Sequence, residues 1–205
     1  MMNPWDKYVN QWDSEPGGLV ANATAAWTDS EFPEDWLSDL RGYVLEIGPG
    51  GGRQTDILCR ECTVDVADIS EHILDHVCGA LPIREGMLIT QTGILPAEAS
   101  AYNGVVACYI FCHVSIREVW QYLREAARIL RPGGIVVFDS KVITPQNWAQ
   151  FEQQFLVRDM IGTGVFHICP LSPGWVAAMC ESAGLELLES REYGLCTSAY
   201  RARRK

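Results

Sequence analysis

A run of strand-forming character, Val44-Leu45-Glu46-Ile47, opens directly into Gly48-Pro49-Gly50-Gly51-Gly52, and this junction constrains the fold more than any other stretch. A strand ending in a turn without side chains lets a ligand approach its backbone closely, and the chain resumes as a helix near Arg53. From Tyr43 onward, short β-rich apolar runs alternate with amphipathic stretches of helical length, the pattern of βα units around a parallel sheet. The strand candidates are 43–47, 63–67, 87–90, 104–108 and 134–139. Between the last two, Ile116, Val119, Trp120, Leu123, Ala126, Ala127 and Leu130 recur at helical spacing, and Arg131-Pro132-Gly133-Gly134 stops that helix. A second helix is expected over 172–183, stopped by Gly184, and strands over 185–193 and 196–203 flank Gly194 as a hairpin. The expected fold is α/β: a doubly wound, mostly parallel, seven-stranded Rossmann-like sheet with an antiparallel C-terminal edge hairpin.

At 205 residues, one hydrophobic core can serve the whole chain. The expected division is a helical N-terminal cap over 1–42 and a ligand-binding domain over 43–205, with 144–170 as a substrate-cap insertion. The first segment is rich in tryptophan, and Trp5, Tyr8 and Trp12 fall on one helical face. Such a stripe either packs permanently as core or closes over a substrate, with Asp13 to Gly18 as hinge. No apolar run approaches the ~20 residues of a membrane span, and the N-terminus lacks the pattern of a secretion signal. The protein is therefore expected in the cytoplasm with its 8 cysteines as free thiols, and Cys59 and Cys62 read as a helix end rather than a metal pair. A net charge of −10 repels phosphate backbones, so nucleic acid is not the expected partner. A small-molecule acceptor is, with the chain a monomer or a homodimer.

Three readings compete for the glycine turn. A phosphate-binding loop needs Gly-Lys-Ser/Thr where Gly52-Arg53-Gln54 stands, and a dinucleotide fingerprint needs glycine where Arg53 stands. Glu46 favours the third: a carboxylate just before the turn repels pyrophosphate but suits the ammonium and sulfonium of S-adenosylmethionine, whose methionine part the loop would take. About 20 residues beyond Gly48, Asp68 stands where doubly wound folds place an acid on the ribose hydroxyls. The competing reading of Asp68 is the N-cap of a helix starting near Ser70.

On these residues the sequence resembles the class I S-adenosylmethionine-dependent methyltransferase family from about Tyr43 to the C-terminus. Leu45 to Gly52 is similar to that family's first motif, Val66-Ala67-Asp68-Ile69-Ser70 to its ribose-binding turn, and Ile129 to Gly134 to the turn before its fifth strand. The resemblance implies a cofactor site of Glu46, Gly48, Gly50, Gly52, Asp68, Ile69, Cys108 and Tyr109, with Gln91 or Thr92 at the adenine and S-adenosylhomocysteine as product. Where the family carries Asp or Asn before Leu-Pro, this chain has Gln91-Thr92-Gly93-Ile94, and Phe-Asp-Val-Val is replaced by Tyr102-Asn103-Gly104-Val105.

The segment Tyr109 to Val114 resembles the stretch beneath the transferred methyl. There His113, with an ordinary pKa near ~6.5, is a candidate general base or a packed histidine. Asp139 is the second catalytic candidate, and Lys141 either pairs with it or joins Trp5, Tyr8, Trp12 and His113 against the acceptor. Tyr109 either faces the cofactor or fills the strand end. The expected reaction is methyl transfer to oxygen or nitrogen of a small molecule. The alternatives are a protein or peptide methyltransferase and a noncatalytic adenosylmethionine-binding protein.

Overall fold

The computed structural model describes residues 32–152, 170–194 and 196–205. Trp5, Tyr8, Trp12 and most of the 144–170 insertion lie outside the described residues. In chain order the elements are α1 (Glu34–Ser38), β1 (Gly42–Ile47), α2 (Arg53–Cys59), β2 (Cys62–Asp68), α3 (Glu71–Ala80), β3 (Glu85–Leu88) and β4 (Tyr102–Ala107). There follow α4 (Ile116–Ile129), β5 (Leu130–Lys141), α5 (Trp148–Phe151), α6 (Pro173–Ser182), β6 (Leu185–Tyr193) and β7 (Thr197–Arg204). They build one seven-stranded sheet in the order β3-β2-β1-β4-β5-β7-β6. The first five strands are parallel, and β7 runs antiparallel to both neighbours. The antiparallel strand is therefore inserted next to β5, and β6 forms the edge.

Strand alternation sorts the apolar residues onto two faces, as a doubly wound sheet requires. Leu45, Ile47, Val105, Ala107, Val136 and Phe138 pack with Val119, Leu123 and Ala126 of α4 and with Val176 and Cys180 of α6. Val44, Val66, Val106 and Val137 pack on the other face with Leu58 of α2 and with Leu74 and Val77 of α3. Trp36 and Leu37 of α1 join this second cluster, so the end of the 1–42 segment is core. A capping box between Ser115 and Glu118 starts α4. No described helix is long and apolar enough to cross a membrane.

The boundaries of β3, β4 and β5 differ most from the sequence reading, β4 beginning at Tyr102 instead of 104. The third strand covers Glu85–Leu88, earlier than expected, because Glu85 pairs with Asp65 and the Arg84 guanidinium just before it forks onto the Asp65 carboxylate. The fifth begins at Leu130: Leu130 pairs with Tyr102 and Ile135 with Gly104, so residues 131–134 bulge out of the ladder. Asp65 is buried and also accepts the Tyr102 hydroxyl at 2.6 Å. Removing it orphans that hydroxyl, so Asp65→Ala is expected to cost about 2 kcal/mol in urea unfolding. No loss there would mean that the network does not hold β2, β3 and β4 together.

Candidate functional site

The register of the parallel strands decides where the turn after β1 lies. Ile47 pairs with Ala107, and Ala107 with Phe138, so Gly48 and Cys108 leave the sheet at one level on its carboxyl edge, level with Asp139, which stays in β5 paired with Ala199. Gly48 has φ 67° and Gly50 φ 52°, left-handed conformations that cost glycine little. At Gly48 an added Cβ would lie 2.0 Å from Ile110 Cδ1, because the segment after β4 folds over the turn. No described residue lies within 4 Å of a Cβ added at Gly50, so among the described residues the turn is closed on one side and open on the other.

Glu46 lies on the α2 face of the sheet, 1% exposed, and accepts a hydrogen bond from Thr55 Oγ1 at 2.6 Å. Burial pushes its pKa up to about 7, against the lowering effect of the Thr55 hydroxyl. Asp68 ends β2, buried, and its Oδ1 accepts the Ser70 N–H at 2.8 Å. The N-cap of α3 is Ser70, whose hydroxyl accepts the Ile73 N–H, so the cap reading of Asp68 does not hold. Its Oδ2 lies 4.0 Å from where a Cβ on Gly48 would stand, and the acid therefore faces the glycine turn.

The second group of functional candidates follows β4 and β5. Tyr109 has φ 57°, a strained value for a side-chain-bearing residue. Its N–H donates to Asp139 Oδ1 at 2.7 Å, and the Tyr193 hydroxyl donates to Asp139 Oδ2. Asp139 is 1% exposed, so this catalytic candidate sits beneath the surface with both oxygens engaged. Burial raises its pKa to about 6, while Tyr193 and the Tyr109 N–H oppose the rise. Tyr193 is itself driven upward, first by burial and then by the Asp139 charge, so the proton stays on the phenol.

Lys141, also buried, donates to Thr197 Oγ1 at 2.7 Å, with its Nζ 5.7 Å from the Tyr109 ring centroid. Burial lowers its pKa, and the nearby Cys112 and Asp139 oppose that. His113 is partly buried, and burial followed by the Lys141 charge lowers its pKa to about 4. It is a weaker base than its type alone suggests, and neutral throughout the neutral range.

The structure thus brings Glu46, Gly48, Gly50 and Asp68 together at one edge, with Cys108 and Tyr109 beside them. Ile69 packs against the α4-side cluster, and Gln91 and Thr92 lie in the turn after β3, at the same strand ends. Thr55, Tyr193 and Thr197 were missed by sequence reasoning, because none belongs to a motif and each acquires its role through a partner in another element, and Ile110, although within the 109–114 segment, was given no role of its own. Among the described residues no group of His, Cys, Asp and Glu could hold a metal ion.

Residues 45–138 match the family model described as a methyltransferase domain. Among solved structures, the chain superposes on one from the complex between the Haloferax volcanii Trm112 methyltransferase activator and a methyltransferase, with a TM-score of 0.73 and 14% identity over 95% of this chain and 96% of that one. Magnesium protoporphyrin IX methyltransferase from Synechocystis PCC 6803, solved with bound SAH, gives 0.67 and 14% over 98% and 94%. SpnF, a cyclase, gives 0.63 and 15% over 83% and 79%. At these identities the likeness is one of fold. No curated protein matches the sequence.

Glu46 and Asp139 carry a pH dependence whose sign follows from burial. Their folded pKa values of about 7 and about 6 lie above the ordinary 4.5 and 3.8, so the folded state holds protons that the unfolded state releases. The stability they contribute is complete below the ordinary values and is lost as pH rises through 6 and 7. Glu46→Gln keeps an oxygen for Thr55 and removes the charge. The ligand-free variant is expected to melt higher than the wild type at pH 8 and to lose stability less steeply between pH 5 and 8; a lower melting temperature at pH 8 would contradict the buried-charge account.

Proposed function

We propose that this chain, which matches the methyltransferase-domain model over residues 45–138 and resembles the class I family, transfers a methyl group to an oxygen or nitrogen of a small organic acceptor. The cofactor is S-adenosylmethionine. The observation that carries the reading is the buried Glu46 carboxylate at the mouth of a glycine turn that is open at Gly50 and faced by Asp68. A buried carboxylate held by one hydroxyl costs stability, and a cationic ligand is what offsets that cost.

In this reading Glu46 meets the positive charge of the methionine part, the backbone of Gly48 to Gly52 accommodates it without side-chain obstruction, and Asp68 accepts from ribose hydroxyls. Ile69, with Gln91 or Thr92, lines the adenine side, and Cys108 and Tyr109 the opposite wall. When bound, the cofactor would supply an electrophilic methyl carbon on a sulfonium, whose transfer to an acceptor lone pair would leave the C–S electron pair on sulfur. The protein's contribution is alignment and exclusion of water. His113, neutral at pH 7, orients the acceptor and takes its proton as the bond forms. The Lys141 ammonium favours negative charge on an acceptor oxygen.

Thermal shift and label transfer test the reading. S-adenosylhomocysteine is expected to raise the melting temperature where NAD and ATP do not, and label from methyl-labelled S-adenosylmethionine should reach a member of a mixed panel of hydroxyl, carboxyl and amine compounds. Stabilisation by NAD alone would sink the cofactor assignment, and binding without transfer across the panel would favour a noncatalytic role.

His113→Ala is expected to lower turnover ~10²-fold at unchanged cofactor affinity. Because His113 titrates near 4, it should contribute no limb to the pH–rate profile between pH 6 and 8. A limb near pH 6.5 that disappears in the variant would show that its basicity is unshifted.

A further inference from the structure

The chain leaves β4 at Ala107 and must turn sharply for Ile110 to lie over Gly48, and the turn is made at Tyr109 with φ 57°. A left-handed tyrosine is disfavoured by its Cβ and persists only where its surroundings over-determine it. Those surroundings are specific. The Tyr109 N–H is fixed by Asp139 Oδ1, 30 residues away on the neighbouring strand, and Asp139 Oδ2 is fixed by the Tyr193 hydroxyl at the end of β6. The rings of Tyr109 and Tyr193 meet edge to face at 6.4 Å, and Phe32 meets Tyr193 at 5.8 Å on another side. Asp139 has no oxygen left facing a reactant.

We propose that Asp139 is a positioning residue: oriented by the Tyr193 hydroxyl, it holds Tyr109 in the left-handed conformation that lays Ile110 over Gly48 and so sets the wall of the cofactor crevice. The C-terminal hairpin thereby reaches the cofactor site through one carboxylate. This deepens the reading of the site as an adenosylmethionine crevice and rests on it for the ligand measurement, but the geometric claim can be tested without ligand.

The variants are Tyr193→Phe, which removes one hydroxyl and keeps the ring, and Asp139→Asn and Asp139→Ala, which remove part and all of the acceptor. Two quantities are measured on the folded proteins: amide hydrogen exchange of a peptide covering residues 108–113, and S-adenosylhomocysteine affinity by calorimetry. Exchange over 108–113 is expected to accelerate at least tenfold in Tyr193→Phe and further in Asp139→Ala. Affinity should fall about tenfold in Tyr193→Phe, with Asp139→Asn weakened less than Asp139→Ala. A role confined to stability predicts something else: a lower melting temperature with unchanged affinity and no selective acceleration over 108–113, and that result overturns the proposal. If Asp139→Ala does not fold, Tyr193→Phe alone decides. A wild type that binds no S-adenosylhomocysteine would defeat the cofactor reading, while the exchange measurement would still judge the positioning claim.

Discussion

Because parallel strands pair in register, Ile47, Ala107 and Phe138 lie side by side, and β1 and β4 end there, level with Asp139 in β5. This alignment makes a site out of residues far apart in the chain. Gly48 turns back toward α2, Cys108 leads into a segment that folds over Gly48, and Asp139 remains in its strand and ties that segment down. Each would be an unremarkable loop or strand residue if its strand ended one position earlier. A slip of one residue would also carry Glu46 and Asp139 to the α4 side of the sheet, away from Thr55 and Tyr193.

The same edge carries two buried charges that oppose folding at neutral pH. Glu46 and Asp139 are both ionisable, both buried, and both raised in pKa chiefly by desolvation. The large apolar clusters on the two faces carry stability, and the strand ends sacrifice some of it. This is the usual division in an α/β fold, where the sheet interior is a rigid scaffold and the crevice beyond the carboxyl ends carries the chemistry. In the middle of β2, Asp65 is equally buried but receives both Arg84 and the Tyr102 hydroxyl. A carboxylate paired with a guanidinium inside the sheet thus contrasts with desolvated ones at the strand ends.

The sheet and most of its helices were legible in the sequence because periodicity and glycine-proline punctuation are local. The placement of the glycine turn, Glu46 and Asp68 at one edge was legible for the same reason, since it follows from spacing along the chain. The start of β5 was not, because Leu130 is drawn into the ladder by Tyr102 while residues 131–134 bulge, an outcome set by a partner strand. Ser70 rather than Asp68 capping α3 depends on which side chain reaches the Ile73 N–H, which spacing alone leaves open. The basicity of His113 depends on burial and on Lys141, 28 positions later in the sequence. Tyr193 carries no motif and could be found only once β6 had been placed.

The placement of Tyr193 follows from the one departure from parallel order. A parallel strand added beside β5 would end with its carboxyl terminus at the site and lead away into a crossover helix. Here β7 pairs antiparallel with β5, with Lys141 opposite Thr197, so β7 begins at the carboxyl edge instead of ending there. The short connection from β6 to β7 must then lie at that edge as well, and it brings Tyr193 opposite Thr197. Two side chains four positions apart thus reach β5 from the same hairpin: the Tyr193 hydroxyl on Asp139 and the Thr197 hydroxyl on Lys141. An antiparallel pair joined by a tight connection fixes such positions more narrowly than a crossover of a dozen or more residues could. The last two strands therefore complete the sheet and also supply hydroxyls that orient charged groups beside the glycine turn.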